Sequence, residues 1–154
     1  MSLTALEPLF TAKNVAFYSL QVAPTAEFSG EATRQDALIK LENLIHDFSD
    51  TAALMAQLDL VIAVDTSVAH LAGALACPVW VLLPFAPDWR WLLERDDSPW
   101  YPTMRLFRQP APGDWPSVVQ SVRAALAEDG RAFCLQTRGG LAHRATLPML
   151  SSFG

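Results

Sequence analysis

Two five-residue runs, Leu60–Val64 (LVIAV) and Val79–Leu83 (VWVLL), constrain this chain more than any other feature. Neither contains a polar residue. A half-exposed strand alternates apolar and polar positions, so an unbroken apolar run belongs to a strand buried on both faces. The stretch between them is long enough for a helix, which predicts two parallel strands joined by a crossover. Further strands are predicted at residues 15–20, 44–48 and 104–108. Helices are predicted at 35–43, at 52–58 with Asp50 or Thr51 as cap, at 66–76, and at 117–127 after Pro116. Residues 88–93 read as a short helical turn. The expected fold is a three-layer, Rossmann-like α/β domain with a mainly parallel five-stranded sheet. Ligands in such folds sit beyond the carboxyl ends of the strands. That rule directs attention to Gln21 and to residues 48–51, 65–70 and 84–90.

With 154 residues, of which 51% are hydrophobic, the chain can bury one sizeable core. Residues 1–129 read as the domain, with a long loop over 22–34 that holds Pro24 and Gly30. After Asp129 no acidic residue follows, while Arg131, Arg138 and Arg144 do. Residues 130–154 lack a sustained period and read as a tail, poorly ordered or an add-on helix. No apolar run is long enough to cross a bilayer, and no basic flank precedes a long apolar stretch, so neither a membrane span nor a signal peptide is expected. Cys77 and Cys134 lack metal-type spacing, and a reducing cytoplasm is the expected setting. The net charge of −5, without a Lys/Arg cluster, argues against nucleic acid as a partner. A small phosphorylated ligand stays compatible, because helix N-termini bind phosphate without a basic patch.

The segment most informative about chemistry is DLVIAVDTSVAHLAGALACP, residues 59–78. The strand ends at Val64 and the chain turns through Asp65, Thr66 and Ser67 into a helix. Val68, Leu71, Ala72 and Leu75 recur at helical spacing and are expected to face the sheet. Thr66, His70 and Gly73 fall on the other side, where Ala69, Gly73 and Ala74 keep the helix slim. Free amides and the helix dipole favour an anion at the first turn. Thr66 and Ser67 add hydroxyl donors. His70 can donate from one ring nitrogen and, once protonated, neutralise charge. Asp65 suits orienting His70 or binding a ribose hydroxyl. The same letters also make an ordinary N-cap and a locally packed histidine; spacing alone does not choose between them.

All five tryptophans lie within residues 80–115, and eight of the eleven prolines lie within 78–116. Trp80 reads as core. Trp89, Arg90, Trp91, Trp100 and Tyr101 fall in a connector after a strand. Aromatic faces stack on sugars or bases, Arg90 can grip a phosphate or carboxylate, and Asp88 can accept from sugar hydroxyls. The same aromatics could instead pin an irregular loop, cover the sheet edge or pack on another domain. Asp96 and Asp97 read as solvated carboxylates, and no metal is expected. His46 and His143 receive no role.

The stretch DLVIAVDTSVAHLAGALACPVWVLLP resembles the C-terminal domain of family 9 glycosyltransferases, the ADP-heptose:lipopolysaccharide heptosyltransferases and their relatives. Asp65, Thr66, His70, Leu71, Ala72, Ala74, Leu75 and Pro78 carry the likeness; Ser67 stands where that pattern has glycine. Residues 84–109, PFAPDWRWLLERDDSPWYPTMRLFRQ, are similar to a stretch in bacterial tetratricopeptide-repeat proteins with a glycosyltransferase-like C-terminus. The resemblance spans roughly residues 14–126. It implies the C-terminal half of a GT-B fold that binds a nucleotide-diphosphate sugar, with Thr66, Ser67 and His70 near the diphosphate and Asp65 in the site. It also implies inverting glycosyl transfer, no metal or other cofactor, and a catalytic base in an N-terminal domain not seen here. With Gln21, Asp88, Trp89 and Arg90 added from their position beyond strand ends and their side-chain chemistry, the expected donor-binding set is Asp65, Thr66, Ser67, His70, Gln21, Asp88, Trp89 and Arg90; the resemblance further implies that the chain has no catalytic residue of its own and that its partner is an acceptor-binding domain or a tetratricopeptide-repeat region. The competing reading is a degenerate, non-catalytic module that docks a protein through its Trp-rich loop. A small hydrolase is disfavoured, since neither a G-x-S-x-G elbow nor a Walker loop is present.

Overall fold

A computed structural model of the protein describes residues 1, 3–13, 15–21, 38–136 and 143–147. The elements among them run in parallel-sheet fashion. Strands β1 (Val15–Ser19), β2 (Leu38–Lys40), β3 (Leu60–Val64), β4 (Val79–Leu83), β5 (Met104–Arg108) and β6 (His143–Leu147) are joined by helices α1 (Phe48–Met55), α2 (Ser67–Ala74) and α3 (Trp115–Gln136), with 3-10 segments at Leu3–Thr11, Glu42–Leu44 and Trp89–Trp91.

The expected five-stranded sheet is not what forms. β1 pairs with β2, and β3, β4 and β5 form a parallel trio, but no ladder joins the pair to the trio directly. β6 enters between β1 and β3, giving the order β2-β1-β6-β3-β4-β5. The five letters of β6, HRATL, hold no apolar run, and it is the slot between two strands that makes them a strand. The helix expected over residues 35–43 is replaced at its described end by β2. The strand expected at 44–48 is absent, and the helix expected from residue 52 begins at Phe48 instead. The cause is Asp47, whose carboxylate accepts from the amides of Ser49 at 2.7 Å and Asp50 at 3.0 Å. Asp50 in turn accepts from the His46 amide, so two acidic residues satisfy three orphan donors at one helix start. Asp47→Ala is therefore expected to cost about 1 kcal/mol, read as a lower urea midpoint with unchanged slope. The loop expected over 22–34 lies outside the described residues. α3 continues past Asp129, where the domain boundary was expected, to Gln136.

Strand alternation sends side chains into two cores. On one face Ile62, Trp80, Leu82 and Phe107 pack with Leu6 and Leu9 of the first 3-10 segment and with Val118, Val119 and Val122 of α3. On the other, Val61, Ala63, Val79, Val81, Leu83 and Leu106 pack under α1 and α2. Burial on both faces is what the unbroken apolar runs demanded. The outer edge of β5 is covered by the preceding connector. The Leu106 amide donates to the Asp96 carbonyl at 2.7 Å, and Asp97 bridges Arg105 antiparallel. That contact shields an edge that would otherwise pair with another chain.

Cys77 sits in the α1–α2 core as a free thiol, and its burial pushes the thiol pKa up. Little thiolate forms near neutral pH, so Cys77 is expected to resist alkylation at pH 8 and to react fully in denaturant. Peptide mapping by mass spectrometry reads this at Cys77 itself; fast labelling of the folded chain would contradict the packing.

Candidate functional site

The turn after β3 places three expected residues at the start of α2. Thr66 is the N-cap in extended backbone, yet its hydroxyl donates back to the Val64 carbonyl at 3.3 Å and no side chain caps the helix. Ser67 opens the helix and is exposed. Asp65 lies beside the second turn, with its carboxylate 3.9 Å from Nε2 of His70. Both side chains are partly exposed, so the contact orients His70 more than it stabilises the fold.

The far side of α2, kept slim by its small residues, is covered. Tyr101 lies on it. A Cβ built on Gly73 would stand 2.6 Å from Cγ of Tyr101 and 2.7 Å from Cδ1. Only a glycine admits the ring that close. The Tyr101 hydroxyl meets Nδ1 of His70 at 3.3 Å, and the His70 ring stacks on Trp91 with centroids 5.4 Å apart and 21° between planes. Leu75, expected against the sheet, is exposed instead, while Ala69 and Gly73, expected on the open side, are buried. Tyr101 covers Gly73, and Leu75 falls off the helical face because α2 ends at Ala74 and Leu75 is its C-cap.

The connector from β4 to β5 forms the rest of the site. Asp88 caps the Trp89–Trp91 turn through the Arg90 amide and also pairs with Nε of Arg90 at 2.9 Å. The Arg90 backbone N–H, then its guanidinium, hold the Asp88 carboxyl below the usual carboxylate range, and Asp88 raises the arginine in return. Trp100 Nε1 donates to the Arg90 carbonyl at 3.2 Å, tying the two limbs of the connector together. Arg108, at the end of β5, donates from Nη2 to the carbonyls of Leu92 at 2.8 Å and Trp91 at 3.3 Å. It thereby braces Leu92, a non-glycine residue held at φ 51°. Between these limbs and α2 lies an open cavity of about 340 Å³, lined by His70, Trp89, Arg90, Trp91, Trp100 and Tyr101.

The structure thus brings His70, Trp89 and Arg90 to one cavity, with Asp65 beside His70 and Asp88 beside Arg90. Thr66 and Ser67 stand at the head of the helix that forms one wall. Gln21 is elsewhere. It follows β1, which β6 separates from β3, and its buried Oε1 has no partner among the described residues. Trp91, Trp100 and Tyr101 were legible only as connector aromatics. The signal that would have placed Tyr101 is Gly73, a glycine inside a helix with no turn to make. Among the described residues no group of three or more His, Cys, Asp or Glu side chains could hold a metal ion. Nor, among the same residues, is any helix long and apolar enough to cross a membrane.

Fold and site together define an α/β domain with an aromatic cavity of ligand size. Over 133 residues it is 31% identical to Protein FlbA of Caulobacter vibrioides, a match covering 79% of this chain but only 21% of that protein. The chain therefore spans about a fifth of the length of the curated relative it matches. No family model matches the chain, and no solved structure does either. The assignment to family 9 glycosyltransferases is corrected by these results: the relative found is Protein FlbA, and no family model supports the likeness. The physical reason is that the shared letters are of common types. An acidic-hydroxyl turn caps many helices, and small residues suit any helix packed tightly on a sheet.

Proposed function

We propose that this domain binds a nucleotide-diphosphate sugar as the donor half of a glycosyl-transfer site. The observation that supports this best is the aromatic cavity walled by His70 of α2, a helix whose first turn carries no side-chain cap. The cavity offers ring faces, and the amides opening α2 offer donors and partial positive charge to a diphosphate. Stabilising that diphosphate as it leaves is the chemistry such a seat would contribute to transfer. The acceptor and the general base come from another domain in this reading, so the chain alone is catalytically incomplete. A cytoplasmic setting, without metal or cofactor, belongs to the same proposal.

Calorimetric titration with ADP-, UDP- and GDP-sugars tests it. A ligand at a hundred times its Kd adds about 2.7 kcal/mol, which should raise Tm by roughly 5–10 °C in a domain this size. No heat and no Tm shift across the panel would remove the proposal.

A second reading has its own support. Trp89 is 76% exposed, Leu93 71% and Trp100 61%, an apolar cluster on one connector. Such clusters also dock proteins. Nucleotide titrations that stay silent, together with a protein partner lost on Trp89→Ala, would favour it.

A further inference from the structure

We infer that the cavity beside α2 seats one neutral, hydroxylated ring, a sugar, and that phosphate is kept out of it. The assignment rests on the cavity being a ligand site, as proposed above, and adds which part of the ligand enters it. Size is the first reason. About 340 Å³ is near the lower end of the roughly 300–1,000 Å³ usual for ligand pockets, enough for one ring and too little for a nucleotide and a sugar together.

Charge is the second reason. Arg90, the cation lining the cavity, is already neutralised by Asp88. Asp65 lies near enough to stabilise Arg90 as well, and it borders His70. Around the cavity, two carboxylates, Asp65 and Asp88, stand against the guanidinium of Arg90. An anion entering there meets repulsion, whereas a polyol does not.

Hydrogen-bonding chemistry is the third. Both Arg90 contacts with Asp88 use Oδ1, which leaves Oδ2 as an acceptor beside the guanidinium nitrogens. An acceptor next to donors suits vicinal hydroxyls, each of which both gives and takes a hydrogen bond. Trp100, with its indole N–H tied to the Arg90 carbonyl, and Trp89 present exposed ring surface to the apolar C–H face of a pyranose. The diphosphate then lies outside the cavity, toward the head of α2.

The test uses the full chain with methyl glycosides of glucose, galactose, mannose and N-acetylglucosamine, with ADP and UDP, and with the matching nucleotide sugars. Binding is read by saturation-transfer NMR and tryptophan fluorescence. Methyl glycosides should bind in the millimolar range and compete with the nucleotide sugar. Trp100→Ala and Trp89→Ala, both at exposed positions, should weaken glycosides and nucleotide sugars about tenfold or more while leaving free ADP and UDP unchanged. Variants that weaken the free diphosphates as much as the sugars would overturn the sugar assignment and leave the donor reading standing. The same holds if nucleotides bind and glycosides do not. Glycoside binding with silent nucleotides would uphold the sugar site and remove the donor reading. No binding by any probe overturns both.

Discussion

Trp91→Ala is expected to destabilise the domain by about 3–5 kcal/mol, the range for emptying a fully buried large aromatic. Trp91 is 1% exposed and belongs to the core under α1 and α2. It also carries the stack with His70 and lines the cavity, so its loss leaves a void that the strained turn at Leu92 is poorly placed to fill. A loss of that size lowers Tm by roughly 6–20 °C. The indole N–H, however, is buried without an acceptor among the described residues. Such a donor costs about 1–3 kcal/mol, so Trp91→Phe, which removes it and keeps a ring, should be much milder than Trp91→Ala. Equal losses for the two variants in urea titration would show that the ring volume does not hold the site.

Gly73→Ala carries the second large effect. One added methyl cannot coexist with the Tyr101 ring, because Cγ and Cδ1 lie inside 3.0 Å of the new atom and Met104 Cε is at 3.0 Å. These ring atoms are attached close to the backbone, and the Tyr101 carbonyl accepts from the Met104 amide at the entry to β5. Relief therefore requires the connector to move. Overpacking of this kind costs about 1–3 kcal/mol, against a gain of up to about 1 kcal/mol from the better helix propensity of alanine. The net is a loss, with the contact between His70 and Tyr101 broken and one cavity wall displaced. The Tyr101→Ala background isolates the cause: there the same Gly73→Ala change should be neutral or stabilising. A double-mutant cycle with no coupling between the two sites would rule the contact out as the reason.

The candidate site was partly legible in the residues themselves. Asp65, Thr66, Ser67 and His70 follow an apolar strand at helical spacing, and physics alone puts donors there. The clustering of Trp89, Trp91 and Trp100 marked the connector as unusual. What could not be read was that the connector folds back onto α2. Nothing local to Tyr101 says that it rests on a glycine twenty-eight positions earlier in the chain. Gln21 shows the opposite case: it lies after a strand as expected, yet β6 separates its strand from β3 and it does not line the cavity.

The sequence by itself determined the strands at residues 60–64 and 79–83 and the helix between them, because a run of apolar, β-branched residues and a helical period are properties of neighbouring letters. The structure decided that the sheet receives a strand from residues 143–147, that Asp47 starts a helix where a strand was expected, and that aromatic rings roof the helix at His70. The first and last of those outcomes depend on which surfaces meet across long separations, and their energy resides in packing and in satisfied amides, not in any local pattern; the Asp47 cap is local, set by the geometry of its carboxylate against the amides of Ser49 and Asp50.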